Sequence, residues 1–437
     1  MVHAPDRRQF LRASGLAVLA GAAGCTSDIR EQQGDGDDGS DGGGGTEAEG
    51  EITIGVLLPF TGEYDWVGSN VMVVAEMLTE EINANGGIEG RDVTLVQGDT
   101  EATVDASVTA ARKLVNVDEV SAIIGPTSLT FTGVIDLVRE EGVPCVSPTA
   151  GTTELDSVGG EYIFRTVPSD ALGGRAIAKA ATAEQYNGVR SYSEVALMVG
   201  QAPALQSFRD PIGSSLEEFG ATVTTTVDYS TGKSSYNSEV SNVLSSDPEM
   251  IALVGTPEDS ARIMRAAFQA GYEGNWFVTQ DQTNQEFLDL VDERITDGIL
   301  GLAEADSPEA GESGRIEAFT RAVKEYSGEE PGLFAKNTYD AMTVVGLSMR
   351  AAADAEGEVS REAVATNVPA VANPPGEAVT DYESGASAAA EGDVDYEGLV
   401  GPVNFDENGD IRSPFAVMRA ESSEWTRASV LPSDELE

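Results

Sequence analysis

Any chemistry in this chain has to be done almost without imidazole or thiol. Its 437 residues include one histidine, His3, and two cysteines, Cys25 and Cys145. His3 and Cys25 fall in a stretch with the marks of an export leader, so the mature body has no histidine. Histidine-based triads, Cys-His pairs and zinc sites built on His are therefore excluded, and no metal or cofactor is expected. Carboxylates, Tyr, Lys and Ser remain. Cys145 lies in the apolar run 143–147 and reads as a buried, inert thiol.

Hydroxyls cluster in two places. Gly125-Pro126-Thr127-Ser128 follows the apolar pair Ile123-Ile124, and Ser147-Pro148-Thr149-Ala150-Gly151-Thr152-Thr153 follows the Cys145 run. Each loop can offer hydroxyls and free backbone N–H groups to a carboxylate, or can simply cap the next helix. Asp281 follows Trp276-Phe277-Val278-Thr279-Gln280 at a corresponding strand end. Taken alone it reads as a solvated loop charge. Facing the hydroxyl loops across a cleft, it would suit a zwitterion, with the ammonium on Asp281 and the carboxylate near Ser128.

Other motifs dissolve on inspection. Gly55 to Pro59 lacks the glycines of a pyrophosphate loop, and the glycine a phosphate loop would need ahead of Gly232-Lys233-Ser234 is Val227. Ser230-Thr231-Gly232-Lys233 has the Ser-x-x-Lys spacing but sits in a polar loop that would not desolvate the lysine. Asp406-Glu407-Asn408-Gly409-Asp410 suggests a calcium loop, yet Val417 stands where a bidentate Glu belongs; a hairpin turn is expected instead.

The elements that must position these groups alternate. A β-branched apolar run at 51–58 is followed by Val71, Val74, Ala75, Leu78 and Ile82 at helical spacing, with Asn85-Gly86-Gly87 as the stop. Strand and helix patterns then recur every 25 to 40 residues to about 147, and again from 171 to 279. The spacing predicts an α/β protein with two mostly parallel sheets of four or five strands, each covered by helices. Ligands of such sheets bind beyond the carboxyl ends of the strands.

Composition speaks about solvent and address. Asp and Glu number 75 against 26 Lys and Arg, a formal charge of −49, which argues against nucleic acid and anionic membrane surfaces as partners. Lysine is confined to positions 113, 179, 233, 324 and 336. Such acidity with so little lysine suits molar salt, where a Debye length of ~3 Å mutes carboxylate repulsion. Asp6-Arg7-Arg8-Gln9-Phe10-Leu11-Arg12 before the short apolar run 13–24 resembles a twin-arginine export signal. The stretch ending in Gly24-Cys25 resembles a lipobox with Cys25 as the lipidated residue. Residues 26–50, acidic and Gly-rich, have no core to build and read as a disordered tether.

The series Ile52 to Pro59 with Thr61-Gly62, Glu81 to Arg91, Ile123-Ile124-Gly125-Pro126, Pro144 to Pro148, Phe164-Arg165-Thr166, Asn337-Thr338-Tyr339-Asp340-Ala341 and Gly401 to Asp406 resembles the type I periplasmic solute-binding proteins of ABC transporters, in the leucine/isoleucine/valine-binding branch. The resemblance runs from about Glu51 to Arg419 and implies two lobes joined by crossover segments, closing on a solute. By it, residues 51–168 and 302–400 form lobe 1, and 169–301 and 401–437 form lobe 2. It places the solute's carboxylate on Ser128 and the loop Thr149, Ala150, Gly151 and Thr152, its ammonium on Asp281, and an aromatic wall on Tyr64 or Trp66. Gly151 occupies the place of a threonine donor, so Thr149 or Thr152 would substitute. Ala204 and Thr256 occupy the places of two lobe 2 aromatics, which widens the expected solutes from branched-chain amino acids to other amino acids, amides and urea-like molecules.

The resemblance therefore implies a monomeric, lipid-anchored binding protein on the outer face of the cell membrane, delivering solute to an ABC permease and catalysing nothing. The rival is a secreted carboxylate-dependent hydrolase, which an Asp/Glu pair could support.

Overall fold

In the computed structural model the described residues are 50–62, 64–306, 311, 314–353 and 359–436. The twin-arginine stretch, Cys25 and nearly all of the tether lie outside them. Among the described residues, no helix is long and apolar enough to cross a membrane.

The first sheet has the order β2-β1-β3-β4-β5, all parallel, from Val93–Asp99 (β2), Ile52–Leu58 (β1), Ala122–Ile124 (β3), Cys145–Ser147 (β4) and Ile163–Arg165 (β5). Strands of such a sheet are buried on both faces, and β1 divides its side chains accordingly. Ile54, Val56 and Leu58 enter one core with the helices Asp65–Ala84, Ala335–Ala352 and Arg361–Ala372, while Leu57 points into the opposite core under Val104–Asn116. Asp65–Ala84 ends where the sequence predicts, at Gly86 and Gly87, both at positive φ. Cys145 is fully buried, and burial pushes its thiol far above its ordinary range.

The second sheet is larger than the expected four or five strands. Its order is β14-β13-β10-β9-β8-β6-β7, from Glu194–Gly200 (β6), Thr222–Tyr229 (β7), Met250–Val254 (β8), Asn275–Val278 (β9), Leu300–Glu304 (β10), Phe415–Glu421 (β13) and Glu424–Leu431 (β14). The parallel part follows the predicted runs. The additional pair, β13 and β14, is an antiparallel hairpin turning at Ser422 and Ser423, both at positive φ. Most of β14 faces solvent, so it carries no apolar run to announce it. A small parallel pair, Glu377–Val379 (β11) with Val394–Tyr396 (β12), completes the sheets.

The chain passes between the sheets after β5, after β10 and before β13. The second and third passages come later than 302 and 401: Leu302 is buried in the second sheet, whereas Val403, Phe405 and Ile411 pack in the first lobe's core. Segment 406–410 is a turn, with Gly409 N–H donating to the Asp406 carbonyl, but it joins no paired strands. Its Asp410 is bound to Arg165 instead, at 2.6 Å from Nε and 2.7 Å from Nη2. No group of ligands suited to a metal occurs among the described residues.

Candidate functional site

Every candidate side chain leaves a strand at its carboxyl end or opens the helix beyond it. Ser128 follows β3, the 149–152 loop follows β4, and Gln280 and Asp281 follow β9. These ends converge on a crevice of about 90 Å³ between the two sheets, lined by Tyr64, Trp66, Thr127, Ser128, Thr149, Gly151 and Phe334 on one wall and by Asp170, Ala204, Phe208, Gln280 and Asp281 on the other. Ser128 and Asp281 thus face one space.

The first wall is rich in unused hydrogen-bonding capacity. Thr127 and Thr149 are each 6% exposed, and among the described residues neither hydroxyl has a partner. Ser128 Oγ accepts from Thr152 N–H at 3.2 Å, which leaves its own proton to donate. The N–H groups of Ser128 and Gly151 also donate to no acceptor among the described residues. Groups enclosed to this degree are normally paired, so the wall is incomplete as it stands. It lacks an acceptor of several hydrogen bonds, which is what a carboxylate is.

Ala150 and Thr152 do not reach the crevice. Ala150 N–H is spent on Ser147 Oγ at 3.0 Å, and the Thr152 hydroxyl caps Glu154 N–H. Both carbonyls instead accept from Arg165 Nη1, at 3.4 and 2.9 Å. Arg165, 1% exposed and also paired with Asp156 and Asp410, clamps the loop from beneath. Of the two threonines expected to substitute for Gly151, only Thr149 is placed to donate.

Two carboxylates, Asp170 and Asp281, stand near each other on the second wall. Burial raises Asp281 to about 6. Burial raises Asp170 to about 7, with the charge of Asp281 adding to it and a hydrogen bond from Ser207 and the charge of Arg165 opposing it. Arg165 is already committed to other acceptors, so the pair lacks a cation of its own. An ammonium would lower the cost of keeping both ionised. Gly151 makes this arrangement possible: a Cβ there would stand 2.3 Å from Asp170 Oδ1.

Sequence reasoning missed Asp170, Gln280, Phe208 and Phe334. Asp170 follows the helix N-cap Ser169 and reads as an ordinary first-turn acid. Thr256, expected on the second wall, caps the helix Pro257–Gln269 through its hydroxyl and does not line the crevice. The apolar surface beside Ala204 comes from Phe208 and Phe334, whose positions only the folded lobes reveal.

Two sheet-and-helix lobes meeting along such a crevice define a two-lobed binding protein. The periplasmic binding protein model matches residues 51–424, and the chain belongs to that family, of type I, whose members bind solutes for ABC transporters. It is 23% identical over 363 residues, 83% of its length and 87% of the relative's, to a leucine-, isoleucine-, valine-, threonine- and alanine-binding protein of Pseudomonas aeruginosa. It is 25% identical over 373 residues, 81% of its length and 83% of the relative's, to the chemotactic signal transduction system substrate-binding protein BasB of Halobacterium salinarum. In fold it resembles the leucine-binding protein LivK of Thermotoga maritima, with a TM-score of 0.72 and 24% identity over 88% of this chain and 99% of that one.

Proposed function

We propose that this protein captures a small solute bearing an ammonium and a carboxylate, an amino acid in the first instance, and presents it to an ABC permease from a lipid anchor on the outer face of the membrane. The observation that carries the reading is the pairing of opposite needs in one crevice. Thr127, Ser128 and Thr149 offer donors without an acceptor, and Asp170 and Asp281 offer charge without a cation. An amino acid supplies both. The leucine-binding relatives support the class of solute, while Ala204, Phe208 and Phe334 leave the side chain open. Twin-arginine export and lipidation at Cys25 rest on the leader's residues, and the monomeric state on the resemblance.

The protein is read as a binder, not an enzyme. The hydrolase alternative draws on the same two carboxylates, whose raised values fit an acid and a base. It predicts turnover, whereas the binding reading predicts recovery of the solute unchanged from the complex.

The test is calorimetry in molar KCl with a panel of amino acids, amides and carboxylates. Micromolar affinity corresponds to about −8 kcal/mol, within reach of charge-assisted contacts at both ends of a zwitterion. Asp281→Asn is expected to weaken binding of an amine-bearing ligand at least ~tenfold, about 1.4 kcal/mol. Equal affinity in the two proteins removes the ammonium assignment.

A further inference from the structure

The crevice is too small to hold a whole solute of ordinary size, since ligand sites usually span ~300 to 1,000 Å³. Its about 90 Å³ has room for a head group alone, beside the hydroxyl wall and the two carboxylates. Beside it, between the same two lobes, lies a second chamber of about 420 Å³. Gln280 from the second lobe and Phe334 from the first belong to the walls of both.

The chamber is built for something uncharged. Its walls include Ile316, Phe319 and Leu333. Its charges largely cancel: Lys336 is paired with Asp306, and Glu330 with Lys324. Glu304 accepts from Asn337 Nδ2 at 2.7 Å, and burial raises it to about 7 against the lowering effect of that bond and of the Lys336 charge, so near neutrality it carries only part of a full negative charge. At the junction, the Gln280 carboxamide makes no hydrogen bond among the described residues. Phe334 is held there at φ 68°, a backbone conformation a bulky side chain rarely adopts and one that surrounding structure must enforce.

We propose that the solute is longer than the crevice: its ammonium and carboxylate lie between the hydroxyl loops and Asp281, and its tail passes between Gln280 and Phe334 into the chamber. The class selected is an elongated amine-bearing molecule with an apolar stem and a neutral hydrogen-bonding end, such as an amide, in preference to a small aliphatic amino acid. Gln280 reads the tail as it crosses. The inference rests on the amino-acid reading of the crevice and specifies what lies beyond the head group.

Calorimetry of the full chain in molar KCl with L-alanine, L-leucine and Nε-acetyl-L-lysine tests it. Nε-acetyl-L-lysine is expected to bind at least ~tenfold more tightly than L-alanine. That ratio is expected to fall at least ~tenfold in Thr320→Trp, which fills the chamber from the helix Arg315–Ser327. If Thr320→Trp does not fold, Gln280→Ala gives the same reading through a smaller loss of the ratio. A ratio near one in the wild-type protein, or one that neither variant lowers, overturns the inference while leaving the amino-acid site standing. Absence of binding by all three ligands overturns the amino-acid reading itself and this inference with it.

Discussion

Asp170 and Asp281 are held above the ordinary carboxylate range, at about 7 and about 6, chiefly by burial. The sign of the consequence follows from proton counting. Between about pH 4 and about pH 7 the folded, ligand-free protein keeps protons that the unfolded chain has released, so these two groups make stability decline as pH rises through that window. Binding runs the other way, because an ammonium needs the ionised carboxylates. Affinity for an amine-bearing ligand is expected to fall at least ~tenfold between about pH 8 and about pH 5, read by calorimetry at constant salt. A flat profile contradicts the pairing. Gly151→Ala tests the same site from its other side: its φ is not in the left-handed region, so the substitution acts through the contact of its Cβ with Asp170. It is expected to weaken binding at least ~tenfold, about 1.4 kcal/mol, and unaltered affinity shows that Asp170 can move without cost. Of the residues named from sequence, Tyr64, Trp66, Ser128, Thr149, Gly151 and Asp281 reach the crevice, and Ala150 and Thr152 do not. Loop membership was legible, but which residue of a loop turns inward depends on hydrogen bonds to distant groups such as Arg165.

The elements that hold the site are joined by a few buried polar contacts at the passages between lobes. Arg165, at the end of β5, bridges Asp156, Asp410 and the carbonyls of Ala150 and Thr152, linking segments far apart in the chain. Removing a buried charge's partner commonly costs ~3 to 5 kcal/mol, so Arg165→Ala is expected to lose stability of that order in denaturant melts and to loosen the 149–152 loop. A loss below ~1 kcal/mol means that water replaces the guanidinium. A second knot joins the first and second passages. Thr166 Oγ1 donates to the Asn337 carbonyl at 2.8 Å, while Asn337 Nδ2 donates to the Thr166 carbonyl at 2.8 Å and to Glu304 at 2.7 Å. The motifs Phe164-Arg165-Thr166 and Asn337-Thr338-Tyr339 stood out in the sequence without a partner for either. The fold brings them together.

For the whole molecule, a formal charge of −49 makes the solvent part of the structure. Many acids lie on solvated faces, and several basic residues at or near the surface already have partners, as in half-buried Arg175 with Glu218 and exposed Lys113 with Asp118. Lowering KCl from molar to ~0.1 M lengthens the Debye length from ~3 to ~10 Å and exposes the remaining acids to one another. The melting temperature is therefore expected to fall on dilution of salt at constant pH, most steeply without ligand. A melting temperature independent of salt removes the reading of the acidity as an adaptation to brine.

The amino-acid sequence by itself determined the alternation of apolar strands and amphipathic helices, the stop at Gly86 and Gly87, and the hydroxyl loops at the strand ends. Each is a local matter of side-chain spacing and backbone freedom, carried within a few residues of chain. Tertiary structure alone decided that Asp170 joins Asp281 at the crevice, that Phe208 and Phe334 add aromatic surface to that of Tyr64 and Trp66, and that β13 and β14 extend the second sheet. Those outcomes are contacts between segments a hundred or more residues apart or at a solvent-exposed edge. Packing geometry fixes such contacts, and residue periodicity does not carry them.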